Sequence, residues 1–126
     1  MKVFLTGATG YIGAVVAEKL QAAGHHIIGL TRTKTKAEAL RKWDIEPFLG
    51  DLRNPDNLIP AAQQADGIIH TAFTHTHNFY QNLATSIQIE RNFIATMKHT
   101  LAGSGKAFIA TSNTGVLGDT GLIMSI

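Results

Sequence analysis

The chain has 126 residues, the length of one domain and too short for two, and its 34 Leu, Ile, Val and Phe residues suffice for a buried core. Eleven basic against nine acidic residues leave a formal charge of +2, which excludes a polyelectrolyte role, and the absence of cysteine excludes disulfides, thiolate metal sites and Cys nucleophiles. No apolar run approaches about 18 residues and the N-terminus has no leader-like h-region, so the expectation is a single cytoplasmic domain over residues 1–126 with no membrane span.

Lys2 to Thr6 is a short apolar run stopped by Gly7, and Ile12, Val15, Val16, Leu20 and Ala23 then recur at helical spacing. This reads as strand, glycine-rich turn and helix, with Gly24 at a left-handed C-terminal stop. His26 to Leu30 is a second strand, Thr33 to Lys42 a second helix with Ala37 and Leu40 inward, and Ile45 to Leu49 a third strand. Asn54 and Pro55 open a short helix to about Ala62, Asp66 to Thr71 is a fourth strand, and Phe79 to Ala102 a long helix closed by Gly103-Ser104-Gly105. Ala107 to Thr111 is a fifth strand, and beyond Asn113 the chain is glycine-rich and weakly patterned. Strands alternating with helices imply right-handed crossovers, hence an α/β doubly wound parallel sheet of five strands in the order 3-2-1-4-5, Rossmann-like.

Gly7, Gly10 and Gly13, spaced G-x-x-G-x-x-G, fall between the first strand and the first helix. In that context the first glycine permits the turn, the second lets the backbone approach a pyrophosphate, and the third lets the helix pack on the strand. The segment with Thr9, Tyr11 and Ile12 is therefore a candidate dinucleotide site, since free N–H groups and the helix dipole favour an anion. The bland alternative is a ligand-free turn.

The run Thr6-Gly7-Ala8-Thr9-Gly10-Tyr11-Ile12-Gly13, then Gly50-Asp51-Leu52, Ile69-His70-Thr71-Ala72 and Thr111-Ser112, resembles the extended and atypical short-chain dehydrogenase/reductases, the NAD(P)-dependent epimerase/dehydratase superfamily. The resemblance runs from Met1 to about Gly121 and covers the N-terminal half of a family member. It implies that Thr31 stands where NAD-preferring members have Asp and that Arg32 matches the Arg of NADP-preferring ones. It also implies that Asp51 accepts the adenine amino group, that Leu52 packs on the adenine, and that Thr71, Ala72 and Phe73 line the ribose or pyrophosphate. A loop or capping role is the alternative for Asp51.

Residues 32 to 42 carry Arg32, Lys34, Lys36, Arg41 and Lys42 against Glu38, a local +4, so the basic charge is focused beside the expected 2′-phosphate. The expected cofactor is NADP(H), with NAD(H) as the alternative; Lys36, Arg41 and Lys42 read as a solvated helix face. Nucleic acid is not an expected partner, because no aromatic residues interleave the patch.

The resemblance also implies a Ser or Thr beyond the fifth strand that holds the substrate oxygen, and a Tyr-x-x-x-Lys pair that exchanges the proton. Aligning Val116-Leu117-Gly118 with the family's Val-Tyr-Gly puts Asn113 at the serine position, flanked by Ser112 and Thr114, with Thr114 the best hydroxyl substitute. The Tyr-x-x-x-Lys pair is expected beyond Ile126, and Tyr11 and Tyr80 do not replace it, Tyr80 being followed four residues on by Ala84. His70, His75 and His77 lack an acidic cluster, so no metal site is expected; His70 reads as a satisfied strand-end residue and His75 as a cleft residue.

These readings converge on a truncated NADP(H)-binding half of a short-chain dehydrogenase/reductase-like oxidoreductase or epimerase/dehydratase, inactive alone. Its small-molecule substrate would be bound only by a full-length relative. The alternative is a non-catalytic NADP(H)-binding module or sensor. The fifth strand is expected to leave an uncovered apolar edge that invites self-association.

Overall fold

The computed structural model describes residues 1–71, 79–110 and 122–125. One six-stranded sheet carries the chain, in the order β3-β2-β1-β4-β5-β6. Strands β1 (Lys2–Thr6), β2 (His26–Thr31), β3 (Glu46–Leu49), β4 (Gly67–His70) and β5 (Ala107–Ala110) pair in parallel, in the expected 3-2-1-4-5 order. The sixth strand, β6 (Leu122–Ser125), was not expected; it pairs antiparallel with β5, Phe108 facing Met124 and Ile109 facing Ile123. The expectation of an uncovered β5 edge is thereby corrected. A strand entering from the opposite direction needs no crossover helix, so the chain occupies the β5 ladder itself.

Alternation along the strands sorts side chains onto two faces. Leu5 and Ile27 join Ala8, Ala17, Leu40 and Ile45 in a core under α1 (Tyr11–Ala22) and α2 (Lys34–Lys42). Phe4, Ile28, Ile68 and Phe108 face the other way, into the larger core with Leu58, Phe93, Met97 and Leu101 under α3 (Ile59–Gln64) and α4 (Phe79–Leu101). Buried on both faces, β1 is the central strand, and the fold reverses direction between β1 and β4.

Helix ends follow their sequence signals with two exceptions. Gly24 adopts φ +87 after α1, the His25 and Gly24 N–H groups donating to Leu20 and Gln21 carbonyls at 3.0 Å, a Schellman stop. The same motif ends α2, but Asp44 occupies the left-handed position at φ 61. The single helix expected from Pro55 to Ala62 divides into a 3₁₀ turn, Pro55–Leu58, followed by α3. Pro60 explains the division: it lacks an N–H, and a site in the first turn of a new helix leaves no interior bond broken. Asn54 precedes the 3₁₀ turn as expected, yet its side chain makes no capping bond.

Candidate cofactor-binding site

The crevice outside the carboxyl ends of β1 and β4 is where an open α/β sheet accepts a ligand. Gly7 turns the chain off β1 at φ 75, a conformation that L side chains rarely adopt, and the Gly10 N–H donates to the Gly7 carbonyl at 2.9 Å, closing the turn. Helix α1 then starts directly over the loop. A Cβ on Gly13 would lie 1.8 Å from the Gly7 carbonyl oxygen, and one on Gly10 would lie 3.3 Å from the same atom. Gly13 is therefore demanded by backbone packing, and Gly10 is closely packed against the same carbonyl.

The start of α1 is built for an anion. No side chain caps it, no acidic residue lies in its first turn, and its first helical backbone bond is made by Ala14 N–H to Gly10 at 2.9 Å. The N–H groups of Tyr11, Ile12 and Gly13 are thus left without a helical acceptor. Tyr11 (89 % exposed) and Ile12 (55 %) stand on the open side, and Thr9 is exposed beside them. The residues present fit a pyrophosphate: a tight glycine turn that seats an uncapped helix start, free of acidic side chains, over the loop.

The β2 end divides its two candidates. Thr31 is buried, its hydroxyl donating to the Thr33 carbonyl at 3.4 Å, whereas Arg32 is exposed and makes no ion pair among the described residues. Arg41, read as a solvated helix-face residue, pairs with Glu38 at 2.6 Å. Asp51 accepts the Arg53 N–H at 2.9 Å through Oδ1, the loop-closing role, and Leu52 is buried in the larger core. Thr71 is half-buried at the crevice floor, its hydroxyl donating to the Thr6 carbonyl at 2.6 Å. Ala72, Phe73, His75, His77, Ser112, Asn113 and Thr114 lie outside the described residues.

Sequence reading missed two members of a buried polar cluster behind this floor. Thr6 and His70 are register partners at the ends of β1 and β4, both fully buried, with Thr6 Oγ1 2.6 Å from His70 Nδ1. His70 Nε2 lies 2.5 Å from Glu90 Oε1, so His70 is hydrogen-bonded through both ring nitrogens, as its strand-end position led us to expect. Glu90 is 3 % exposed, and its Oε2 has no hydrogen-bond partner among the described residues. Leaving such an acceptor unsatisfied costs about 1–3 kcal/mol. The available signal was periodicity: Glu90 continues the buried stripe of Phe93, Met97 and Leu101 on α4, where a carboxylate is out of pattern.

Among the described residues no group of three His, Cys, Asp or Glu side chains could hold a metal ion, and no helix is long and apolar enough to cross a membrane.

The sequence profile of the NAD dependent epimerase/dehydratase family matches residues 3–121. An uncharacterized protein of Schizosaccharomyces pombe is 36% identical over 121 residues, covering 96% of this chain and 40% of its own. An uncharacterized protein of Saccharomyces cerevisiae is 35% identical over 116 residues, covering 90% and 38%. The chain thus spans about two fifths of the length of the curated relatives it matches. Yeast methylglyoxal/isovaleraldehyde reductase Gre2, solved in complex with NADPH, superposes with a TM-score of 0.71 at 23% identity over 90% of this chain and 37% of that one.

Proposed function

The chain belongs to the NAD dependent epimerase/dehydratase family, and from that premise we propose that it is the NADP(H)-binding half of a short-chain dehydrogenase/reductase-like oxidoreductase or epimerase/dehydratase. The observation that carries the proposal is the glycine turn at the uncapped start of α1, where Gly7 takes φ 75 and Gly13 lets the helix sit directly on the Gly7 carbonyl, leaving the first helical N–H groups without helical acceptors for a pyrophosphate. Bound there, the dinucleotide would supply hydride chemistry to a substrate oxygen-bearing carbon.

The preference for the 2′-phosphorylated cofactor rests on Arg32. Its guanidinium is exposed, follows β2 directly and offers a planar fork to a phosphate. Lys34 adds positive charge at the start of α2, where the helix dipole favours an anion, while Lys36 stays on the solvated face. Thr31 contributes little to a ribose contact, because its hydroxyl is turned to Thr33. Asp51 keeps Oδ2 for the adenine amino group while Oδ1 closes its loop. Thr71, with Ala72 and Phe73 following it, would pass beneath the ribose and pyrophosphate.

Turnover is a separate matter. Tyr11 is followed four residues on by Val15 and Tyr80 by Ala84, so neither forms a Tyr-x-x-x-Lys pair, and these 126 residues are proposed to bind cofactor without catalysing hydride transfer. Ser112 and Thr114 are the hydroxyls proposed to hold a substrate oxygen in a full-length relative. Asn113 at the family's serine position favours a second reading, a non-catalytic NADP(H)-binding module, because Asn donates a hydrogen bond but relays no proton.

Titration of the purified chain with NADPH and NADH, following nicotinamide fluorescence and melting temperature together, tests the proposal. Saturable NADPH binding that outcompetes NADH is expected. Arg32→Glu is expected to weaken NADPH by about tenfold or more and to leave NADH nearly unaffected, the loss of one charge-assisted phosphate contact. Absence of binding to either dinucleotide by a chain that melts cooperatively overturns it.

A further inference from the structure

The geometry points to a polar chain that crosses the sheet beneath the glycine loop, Glu90–His70–Thr6–Thr71, as the device that holds the loop floor in register for the dinucleotide pyrophosphate. Glu90 and His70 are positioning residues in it, reaching the ligand only through Thr6 and Thr71. The inference rests on the NADP(H)-binding reading above and names residues that the glycine motif does not contain.

Strand parity aims the groups. Thr6 shares its face with Phe4 and His70 with Ile68, so both point toward α4, where Glu90 meets His70 Nε2 at 2.5 Å. Thr71, one residue on, belongs to the opposite face, and a Cβ on Gly13 would lie 3.0 Å from its Oγ1. The Thr71 N–H donates to Thr6 Oγ1 at 3.0 Å and the Thr71 hydroxyl to the Thr6 carbonyl at 2.6 Å. The cluster therefore runs from the helix on one side of the sheet to the underside of the phosphate-binding helix on the other.

With Glu90 taken as a carboxylate and His70 as a neutral imidazole, the directions of these bonds follow from one another. A carboxylate oxygen only accepts, so His70 Nε2 donates to Glu90; a neutral imidazole then has Nδ1 as an acceptor, and the Thr6 hydroxyl donates to it. That leaves a lone pair of Thr6 Oγ1 turned to the Thr71 N–H, which is the bond observed. Reversing the imidazole tautomer would make Nδ1 a donor to Thr6 Oγ1, and the Thr6 proton would have to leave that line. Glu90 thus fixes, three groups away, how Thr71 and the end of β4 sit under Gly13. Glu90 Oε2, without a partner among the described residues, fits this role: a carboxylate sits on an apolar stripe where packing alone would select a hydrocarbon.

The test uses the 126-residue chain with Glu90→Gln, Thr6→Val, Thr6→Ser and, as a control in the same core, Met97→Leu. Two probes separate the parts of the ligand: NADPH, and adenosine 2′-phosphate, which carries the Arg32-directed phosphate but no pyrophosphate. Glu90→Gln and Thr6→Val are expected to weaken NADPH by about tenfold or more, since small displacements of positioning groups are felt strongly. They should leave adenosine 2′-phosphate within about twofold, as expected for a remote site. Thr6→Ser, which keeps the hydroxyl, is expected to restore NADPH binding, and Met97→Leu to change neither. Imidazole ¹H–¹⁵N correlation spectra should show His70 protonated at Nε2 in the unsubstituted chain and a shift toward Nδ1 in Glu90→Gln. Should Thr6→Val fail to fold, Glu90→Gln and the tautomer decide. NADPH affinity unchanged in Glu90→Gln, an equal loss for both probes, or a His70 protonated at Nδ1 from the start overturns this inference while the NADP(H) reading stands. An unsubstituted chain that binds no dinucleotide overturns both.

Discussion

Two positions show how a single backbone conformation decides what a residue can be. At Gly13 the constraint is contact: a Cβ 1.8 Å from the Gly7 carbonyl oxygen cannot be relieved by a rotamer change, because both atoms are fixed to backbone. Gly13→Ala is expected to cost about 3 kcal/mol in urea unfolding and to abolish saturable NADPH binding, as α1 is pushed off the loop. At Asp44 the constraint is conformational: φ 61 is unfavourable for an L residue with a side chain, and Asp tolerates it better than most. Asp44→Gly is expected to raise the urea midpoint by the equivalent of about 0.5–1 kcal/mol, with no change in cofactor affinity. Glycine loops such as 7–13 are legible in sequence because each such constraint excludes all other residue types. The Thr6, His70 and Glu90 cluster was not legible as a unit, since a threonine, a histidine and a glutamate far apart in the chain carry no mark of their proximity until strand register brings them together.

Among the elements, the long helix α4 does most to close the second face of the sheet. Phe93 is fully buried, with its ring centroid 4.5 Å from that of His70 and 6.4 Å from that of Phe108, so it connects the polar cluster to the β5 side of the core. Phe93→Ala is expected to destabilise the fold by about 3–5 kcal/mol, read from the denaturant midpoint, since the cavity would open under β4 and β5. Five parallel strands and their helices could be read from periodicity because each alternates apolar runs with helical spacing. The 3₁₀ turn ahead of α3 escaped because Asn54-Pro55 is an ordinary helix start, and only Pro60 reveals the break. Strand β6 escaped for another reason: four residues after a glycine-rich stretch are too few to show a period, and antiparallel pairing with β5 is a tertiary choice.

For the molecule as a whole, position in the sheet sets local stability. Strand β1 has a neighbour on each side and helices over both faces, and Val3, Phe4, Leu5 and Thr6 are all buried. The β3 edge is the opposite case: Glu46 and Leu49 are exposed and Pro47 interrupts its donors, features that discourage pairing with another chain. In native-state hydrogen exchange the amides of Phe4 and Leu5 are expected to be the slowest group, opening only with global unfolding, and those of β3 to exchange through local fraying. Fast exchange at Phe4 and Leu5 would contradict the central placement of β1.

The same central placement has a consequence for the moment of synthesis. Val3 lies against Ile27 on one side and Gly67 on the other, so the two ladders of β1 cannot be completed together. A chain emerging from the ribosome amino end first can lay β2 beside β1 early, but the second flank stays bare until β4 has been translated, a few seconds at about 5–20 residues per second. During that interval this strand, buried from Val3 to Thr6 in the finished sheet, presents an open flank to neighbouring nascent chains on the same message, and it is there, rather than at the finished edges β3 and β6, that a nascent-chain chaperone would have a substrate.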